Sequence, residues 1–460
     1  MLRIPIRKRL GLFLALGGVV SVSVMTTWAR SALAATMAEA PRVVMDTGYL
    51  APTGRTLAVA SGGDFQAALD RAQPGDTITL APGAVYTGPF TLLDKEGSGW
   101  IVIRTGAPDS RLPPPGERLD PSYAALLPRL EAASGSVIRT ADGAHHYRFV
   151  GIEIRPKDGA FLTNLVQLGG NGRSVDHLPH HIIFDRCYIH GDPHVGARRG
   201  IAMNSRDTAV VDSYLSDFKE AGADSQAIAS WNGPGPFKIQ NNFLEAAGEN
   251  VMFGGADPSV GDLVPSDIEV RGNHFAKPLA WRAGEPTYEG TPWTVKNLFE
   301  LKNARRVLID GNLFEHNWAQ SQSGFAILFT VRNQDGSAPW SVVEDVTFTH
   351  NVVRHVASAI NILGRDDNHP SQRTSRILIS NNLFNDVGGS RWGGGGTLFQ
   401  ILDGCANLVI EHNTALQAGN IITADGAADT GFVFKGNVVA HNAYGIIGSG
   451  TAVGNSTLTR

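Results

Sequence analysis

VLIDGNLF, residues 307–314, packs a short alternating strand, a polar turn, an asparagine and two apolar residues into eight positions. The same unit recurs as IIFDRCYI (182–189), AVVDSYL (209–215), FKIQNNFL (237–244) and IEVRGNHF (268–275) on its N-terminal side, and as VTFTHNVV (346–353), ILISNNLF (377–384), LVIEHNTA (408–415) and FVFKGNVV (432–439) on its C-terminal side. The anchor positions are Cys187, Ser213, Asn242, Asn273, Asn312, Asn351, Asn382, Asn413 and Asn437, spaced by 26, 29, 31, 39, 39, 31, 31 and 24 residues. A constant unit with variable intervals is the signature of a solenoid whose insertions leave from the same corners. Strands of three to six residues rich in Ile, Val and Phe cannot stand alone, so each coil must pair in parallel with the next. The expected fold is therefore an all-β, single-stranded parallel β-helix, its coils about 4.8 Å apart and its anchor asparagines stacked as an internal amide ladder. A β-propeller needs four strands in each blade of about 40–45 residues, and most of these intervals are shorter.

Ahead of the repeats, DFQAALDRAQPGDTITLAPGAVYTG (64–88) places Phe65, Ala68, Leu69 and Ala72 on one face of a short helix. Pro74-Gly75 then breaks that helix before the strand Thr77–Leu80. Capping helix and N-x-F coils together resemble the secreted right-handed parallel β-helix proteins of the pectate-lyase-like superfamily, over nearly all of residues 60–450. The resemblance implies the fold and a carbohydrate-facing groove; it does not select among lyases, hydrolases, esterases, epimerases and non-catalytic adhesins on that fold.

Composition agrees with a turn-rich solenoid. The 460 residues include 53 glycines, only 18% are charged, and 42% are hydrophobic, enough to bury a large core. Two cysteines exclude a disulfide framework, and the two occupy distant coils, so a single bridge is not expected either. At the N-terminus Arg3, Arg7, Lys8 and Arg9 precede an apolar run from Leu10 to Trp28, and Ser31-Ala32-Leu33-Ala34 follows with small residues. Residues 1–34 read as a cleaved signal peptide, residues 35–60 as a linker and 61–460 as the β-helix, giving a secreted, periplasmic or cell-surface monomer with no membrane span after cleavage. Removing 1–34 deletes five basic and no acidic residues, taking the net charge from -4 to -9 and arguing against a nucleic-acid partner.

A solenoid without a central cavity must do its chemistry on the outer face of a sheet, walled by insertions. The two 39-residue intervals flank Asn312 and contain the insertions Ala276 to Thr294 and Ala319 to Trp340. In Leu298-Phe299-Glu300-Leu301-Lys302, alternation sends Phe299 and Leu301 inward and Glu300 and Lys302 outward. Arg332 and Arg365 end the strands of the next two coils, which would build a cationic stripe with Lys302. Trp231, Trp281, Trp293, Trp318, Trp340 and Trp392 fall in the same half of the chain, and all except the second are taken as flat faces for sugar rings.

NLFELKNARRVLIDGNLF (297–314) followed by FAILFTVRNQDG (325–336) is similar in layout to the alginate-lyase and chondroitinase-B type of polysaccharide lyase. That similarity implies β-elimination on a uronate-containing polysaccharide, with Lys302 as base, Arg332 as its partner, and Glu300 with Glu249 as calcium ligands. Neutralising the uronate carboxylate makes the adjacent carbon acidic enough to lose its proton. Three departures stand: the 30-residue step from Lys302 to Arg332, Asn333 where the pattern has a histidine after the arginine, and one acidic residue close before the lysine instead of two.

The alternatives are an inverting glycoside hydrolase, using Asp366-Asp367 or acids such as Asp224, Glu249 and Asp257, and a non-catalytic carbohydrate-binding solenoid. The chain lacks Asn-Thr-Asp, Gly-His-Gly and Arg-Ile-Lys elements of the hydrolase pattern. Histidines 177, 180, 181, 190 and 194, around HLPHH and HGDPH, offer ligands for a transition metal or simply polar loops.

Overall fold

The computed structural model describes residues 37–459; the expected signal peptide lies outside the described residues. From Ala38 onward the chain forms one compact unit. Three long, wholly parallel sheets of 13, 12 and 12 strands run its length, and from Thr77–Leu80 onward the chain visits them in strict rotation. Sheet 1 begins with Thr56–Val59 and Thr77–Leu80, sheet 2 with Val85–Thr87 and sheet 3 with Phe90–Leu92. This is a right-handed parallel β-helix, the hand that connections between parallel strands almost always take.

Between sheet 1 and sheet 2 every repeat turns a corner of two residues. The first is left-handed, with φ of 50° at Arg186, 53° at Asp212, 55° at Asn241, 62° at Gly272, 67° at Gly311 and 55° at His350. Asn, Asp, His and Gly tolerate this conformation, which explains the polar turn of the repeat. The second is the anchor. Asn312 accepts at Oδ1 from the backbone N–H (2.9 Å) and side-chain Nδ2 (3.0 Å) of Asn273, and donates from Nδ2 to the Val270 carbonyl at 2.9 Å. Its own N–H and Nδ2 repeat the pattern on Asn351. The ladder runs unbroken from Cys187 through Ser213 to Asn437. All nine anchors lie in it, and all except the half-buried Asn437 at its end are buried, among stacked core side chains such as Phe275 and Phe314, whose ring centroids are 4.4 Å apart.

Phe65–Arg71 forms the expected helix, with Asp64 Oδ1 accepting from the Ala67 N–H at 2.8 Å and Phe65, Ala68 and Leu69 buried. It covers the open end of the first coil, Phe65 packing 4.8 Å from Phe90. Two boundaries move. Residues 35–60 are no linker as far as they are described: Thr56–Val59 pairs with Thr77–Leu80, and the stretch before it lies along sheet 1. There Met45 packs with Ile183, Ala209 and Val211, and the Glu39 and Arg42 N–H groups bind Asp345 and Asp267. The expected insertion 319–340 is also interrupted by the sheet 3 strand Phe325–Thr330, because that apolar stretch fills the core. Cys187 and Cys405 are both buried and free.

Replacing Asn312 by Ala strands two donors of Asn273 and the Val270 carbonyl inside the core. The expected loss is about 2–5 kcal/mol of unfolding free energy, read from the urea midpoint at unchanged m-value.

Candidate active site

The outer face of sheet 3 carries the register Met252, Glu300, Leu328, Asn361 and Gln400 on successive coils. Loops from sheet 2 to sheet 3 wall one side and loops from sheet 3 to sheet 1 the other. Between them lies a cleft of about 420 Å³ whose lining includes Glu300, Lys302, Gln322, Thr330, Arg332, Asn361, Asp366 and His369. Phe299 and Leu301 point into the core as alternation requires, so Glu300 and Lys302 face out together. Lys302 follows its strand, its N–H donating to the Phe253 carbonyl at 2.8 Å, while Arg332 one coil on donates its own N–H to the Lys302 carbonyl at 2.9 Å. Gly254 makes room for the lysine: at φ 96° it sits where a Cβ would come within 2.8 Å of the Lys302 Cβ and 2.9 Å of the Asn303 nitrogen.

Charges in the cleft are paired. Lys302 Nζ is 3.7 Å from Glu300 Oε1, and Glu300 also receives Asn297 Nδ2 at 3.1 Å and the Thr330 hydroxyl at 3.4 Å. Arg332 holds Asp366 at 2.7 Å and also contacts the exposed Asp367. Burial pushes the Asp366 carboxyl up, but the N–H groups of Asn368 and Asn333 and the Arg332 guanidinium outweigh it and hold it below its ordinary value. Arg332 loses some preference for its charge through burial, yet Asp367 and Asp366 raise its pKa overall.

Lys302, Arg332 and Glu300 thus come together, but the cationic stripe does not form. Arg365 is exposed, its guanidinium turned to the Ser371 carbonyl at 3.4 Å, and Asp366 takes the place expected for it. The turn after Gly364 sends the next side chain away from the face and the following one into it.

The tryptophans are mostly structural. Trp293 and Trp318 pack with Trp281, Ala247 and Val295 beneath the sheet 2 to sheet 3 loops. Lys219 Nζ lies 5.1 Å from the Trp281 ring and 5.3 Å from that of Trp293. Trp392 is 1% exposed, stacked by His316 and His355 and flanked by Arg282 and Arg391. Buried as they are, Trp293, Trp318 and Trp392 help line a second cleft of about 280 Å³. Trp231 stacks on Arg199 and Trp340 donates to the Leu263 carbonyl; neither lines the Lys302 cleft.

Calcium does not fit the residues expected to hold it. Glu249 is fully buried, accepts from Gln226 at 2.7 Å, and its second oxygen faces the Lys296 ammonium at 3.5 Å. Lys296 also binds Asp224 at 2.5 Å. Burial, then Glu300 and Asp224, push the Glu249 carboxyl upward; burial works against the Lys296 charge, but Glu249 and Asp224 hold its pKa above the ordinary value. An ammonium already stands among these carboxylates, and Glu249 and Glu300 belong to no tight group of three or more metal-type ligands among the described residues.

His369 was missed by sequence reasoning. It enters from the coil after Arg332, its Nδ1 donating to the Asn333 carbonyl at 3.0 Å, so its other nitrogen is the free one. The only signal was NHP within GRDDNHP, in a loop whose path no periodicity fixes. Lys277 was likewise unforeseen: its buried ammonium lies 2.8–3.0 Å from the carbonyls of Ala246, Ala247, Gly248 and Asn297 and from Asn250 Oδ1, pinning the root of the 277–296 loop.

No family model and no curated protein sequence matches the chain. Solved structures do match. The catalytic unit of an α-1,3-glucanase from Streptomyces thermodiastaticus aligns over 88% of this chain and 70% of its own, at 12% identity and a TM-score of 0.50. An alginate lyase from Paenibacillus aligns over 86% and 98%, at 14% identity and a TM-score of 0.32. A pectate lyase aligns over 87% and 82%, at 14% identity and a TM-score of 0.32. With the glucanase unit the chain shares the right-handed parallel β-helix fold. Its neighbours on that fold include both polysaccharide lyases and glycoside hydrolases.

Lys277→Met should remove the charged donor shared by five buried oxygens, of which the Ala247 and Gly248 carbonyls keep a backbone N–H at 3.2 Å, and cost about 3–5 kcal/mol, visible as a lower melting temperature.

Proposed function

We propose that this chain is an exported polysaccharide lyase that cleaves a uronate-containing polymer in the Lys302 cleft. The observation that carries the reading is the meeting of Lys302 and Arg332, from consecutive coils, in one polar groove on an exposed sheet face. The substrate carboxylate takes the place of Asp367, the exposed partner of Arg332, which neutralises it as negative charge grows on the adjacent carbon. Lys302, acting as the neutral amine, takes the proton from that carbon on its lone pair and becomes the ammonium that Glu300 faces. The C–H electron pair becomes the new C=C bond, the C–O bond to the leaving sugar breaks, and the departing oxygen takes a proton from His369 or water. Gln322 and Asn361 supply hydrogen bonds to sugar hydroxyls.

Hydrolysis is favoured less. An inverting hydrolase needs a carboxyl with raised pKa as acid facing its base. Asp366 is held the other way, and Glu249, which is raised, is buried beside Lys296 and does not line the cleft.

Incubated with a panel of uronate polymers, the mature protein should produce ultraviolet absorbance from the unsaturated product. Lys302→Ala should lower that rate by about 10²–10⁴ with an unchanged far-ultraviolet circular dichroism spectrum. New reducing ends without absorbance would move the assignment to hydrolysis, and full activity of Lys302→Ala would end it. Because Lys296 supplies the cation beside Glu249, the rate should be the same in EDTA as in added calcium. A loss with EDTA that calcium restores would return Glu249 and Glu300 to a metal.

A further inference from the structure

On the outer face of sheet 1 the second or third residue of many strands is left-handed, which turns two successive side chains outward together. Positive φ marks His146, His181, Asp207, Asp267, Arg306, Asp345 and Arg376. On the later coils this column is filled by opposite charges: Arg306 binds Asp267 at 2.8 Å and Arg376 binds Asp345 at 2.6 Å. Two earlier coils break the rule with His145-His146 and His180-His181.

These four imidazoles form a square. His145 stacks on His180 with centroids 4.8 Å apart and rings 13° from parallel, and His146 on His181 at 4.5 Å and 10°. Within each pair the two Nδ1 atoms are 2.7 Å apart. Carboxylates stand at opposite corners: Asp94 lies 3.3 Å from His145 Nε2 and Asp207 lies 3.7 Å from His181 Nδ1. Trp100 packs on His146 at 5.3 Å. One nitrogen each from His146, His180 and His181 lies within 4.8 Å of the others, and all three residues are half-buried.

We propose that this square is a binding site for a divalent transition-metal ion of the zinc, nickel or copper type, ligated by His146, His180 and His181. Imidazole nitrogens bind such ions at about 2.0–2.1 Å, and small ring rotations bring three nitrogens already this close onto one ion. A nitrogen donor set selects against calcium and magnesium. Asp207 or water takes the fourth position, and Asp94 orients His145 beside the site, as carboxylates do behind ligating histidines. The site is on sheet 1, whereas the Lys302 cleft is on sheet 3, so it does not depend on the function proposed above. Its ligands come from two successive coils, and the ion would staple them together beside the N-terminal stretch that carries Met45.

The test uses untagged mature protein stripped with a chelator and titrated with cobalt(II), then zinc. One equivalent of cobalt should give visible d–d absorption that zinc abolishes, and zinc should raise the melting temperature. His180→Ala/His181→Ala should lose both effects, His146→Ala should weaken cobalt binding by at least about tenfold, and His350→Ala, on a distant coil, should keep both. Absence of a saturable band in the parent protein overturns the proposal, as does an unweakened band in folded His146→Ala or His180→Ala/His181→Ala.

Discussion

The two-residue corner between sheets 1 and 2 governs the rest of the molecule. A left-handed residue bends the chain, and the asparagine after it must face inward, where its amide has no water to bind. One arrangement satisfies it fully: Oδ1 takes the donors of the asparagine below, and Nδ2 reaches a carbonyl of the strand below and the next Oδ1 above. Because each amide is completed by its neighbours, a coil cannot slip without leaving buried groups unpaired on both sides. Along the ladder insertions are therefore confined to the other two corners, which wall the cleft; the one long insertion at the first corner, 106–128, precedes the ladder.

From that geometry follows a division of labour between the walls. The loops leading into sheet 3 are heavy with tryptophan and are pinned at the base by Lys277, whose ammonium gathers carbonyls from two coils. The loops leaving sheet 3 bring polar groups, with Asn333 as their hub. Its N–H binds Asp366, its Nδ2 binds the Pro370 carbonyl and its own carbonyl takes the His369 proton. Rigid apolar packing on one side and a hydrogen-bonded polar loop on the other hold Lys302 and Arg332 on a sheet floor that cannot itself move.

The outer faces solve the charge problem in different ways. Sheet 1 alternates Asp and Arg on successive coils, pairing charges where water still reaches them. Sheet 3 places Glu249 and Glu300 deep in its face and answers them with Lys296 and Lys302. In both, a ladder places like positions about 4.8 Å apart, so like charges on consecutive coils would repel unless a partner of opposite sign intervenes.

The repeat and its anchors were legible because a solenoid is nearly one-dimensional: what a residue does is set by its place in a short local unit, and VLIDGNLF carries that unit whole. Alternation likewise sent Glu300 and Lys302 outward, since strand geometry has a period of two. Loops carry no such rule. Arg365 and Asp366 exchanged places through a single turn, Trp293, Trp318 and Trp392 buried their faces against partners far away in sequence, and His369 entered the cleft from a segment read only as a turn. The four histidines met because registration of two coils 35 residues apart set them side by side, a distance that no pattern within either pair encodes. Sequence alone determined the coil, its corner and the direction of its strand residues, which depend on local backbone geometry. Tertiary structure decided which loop side chains share a site, because that depends on which coils stack and how long each insertion is.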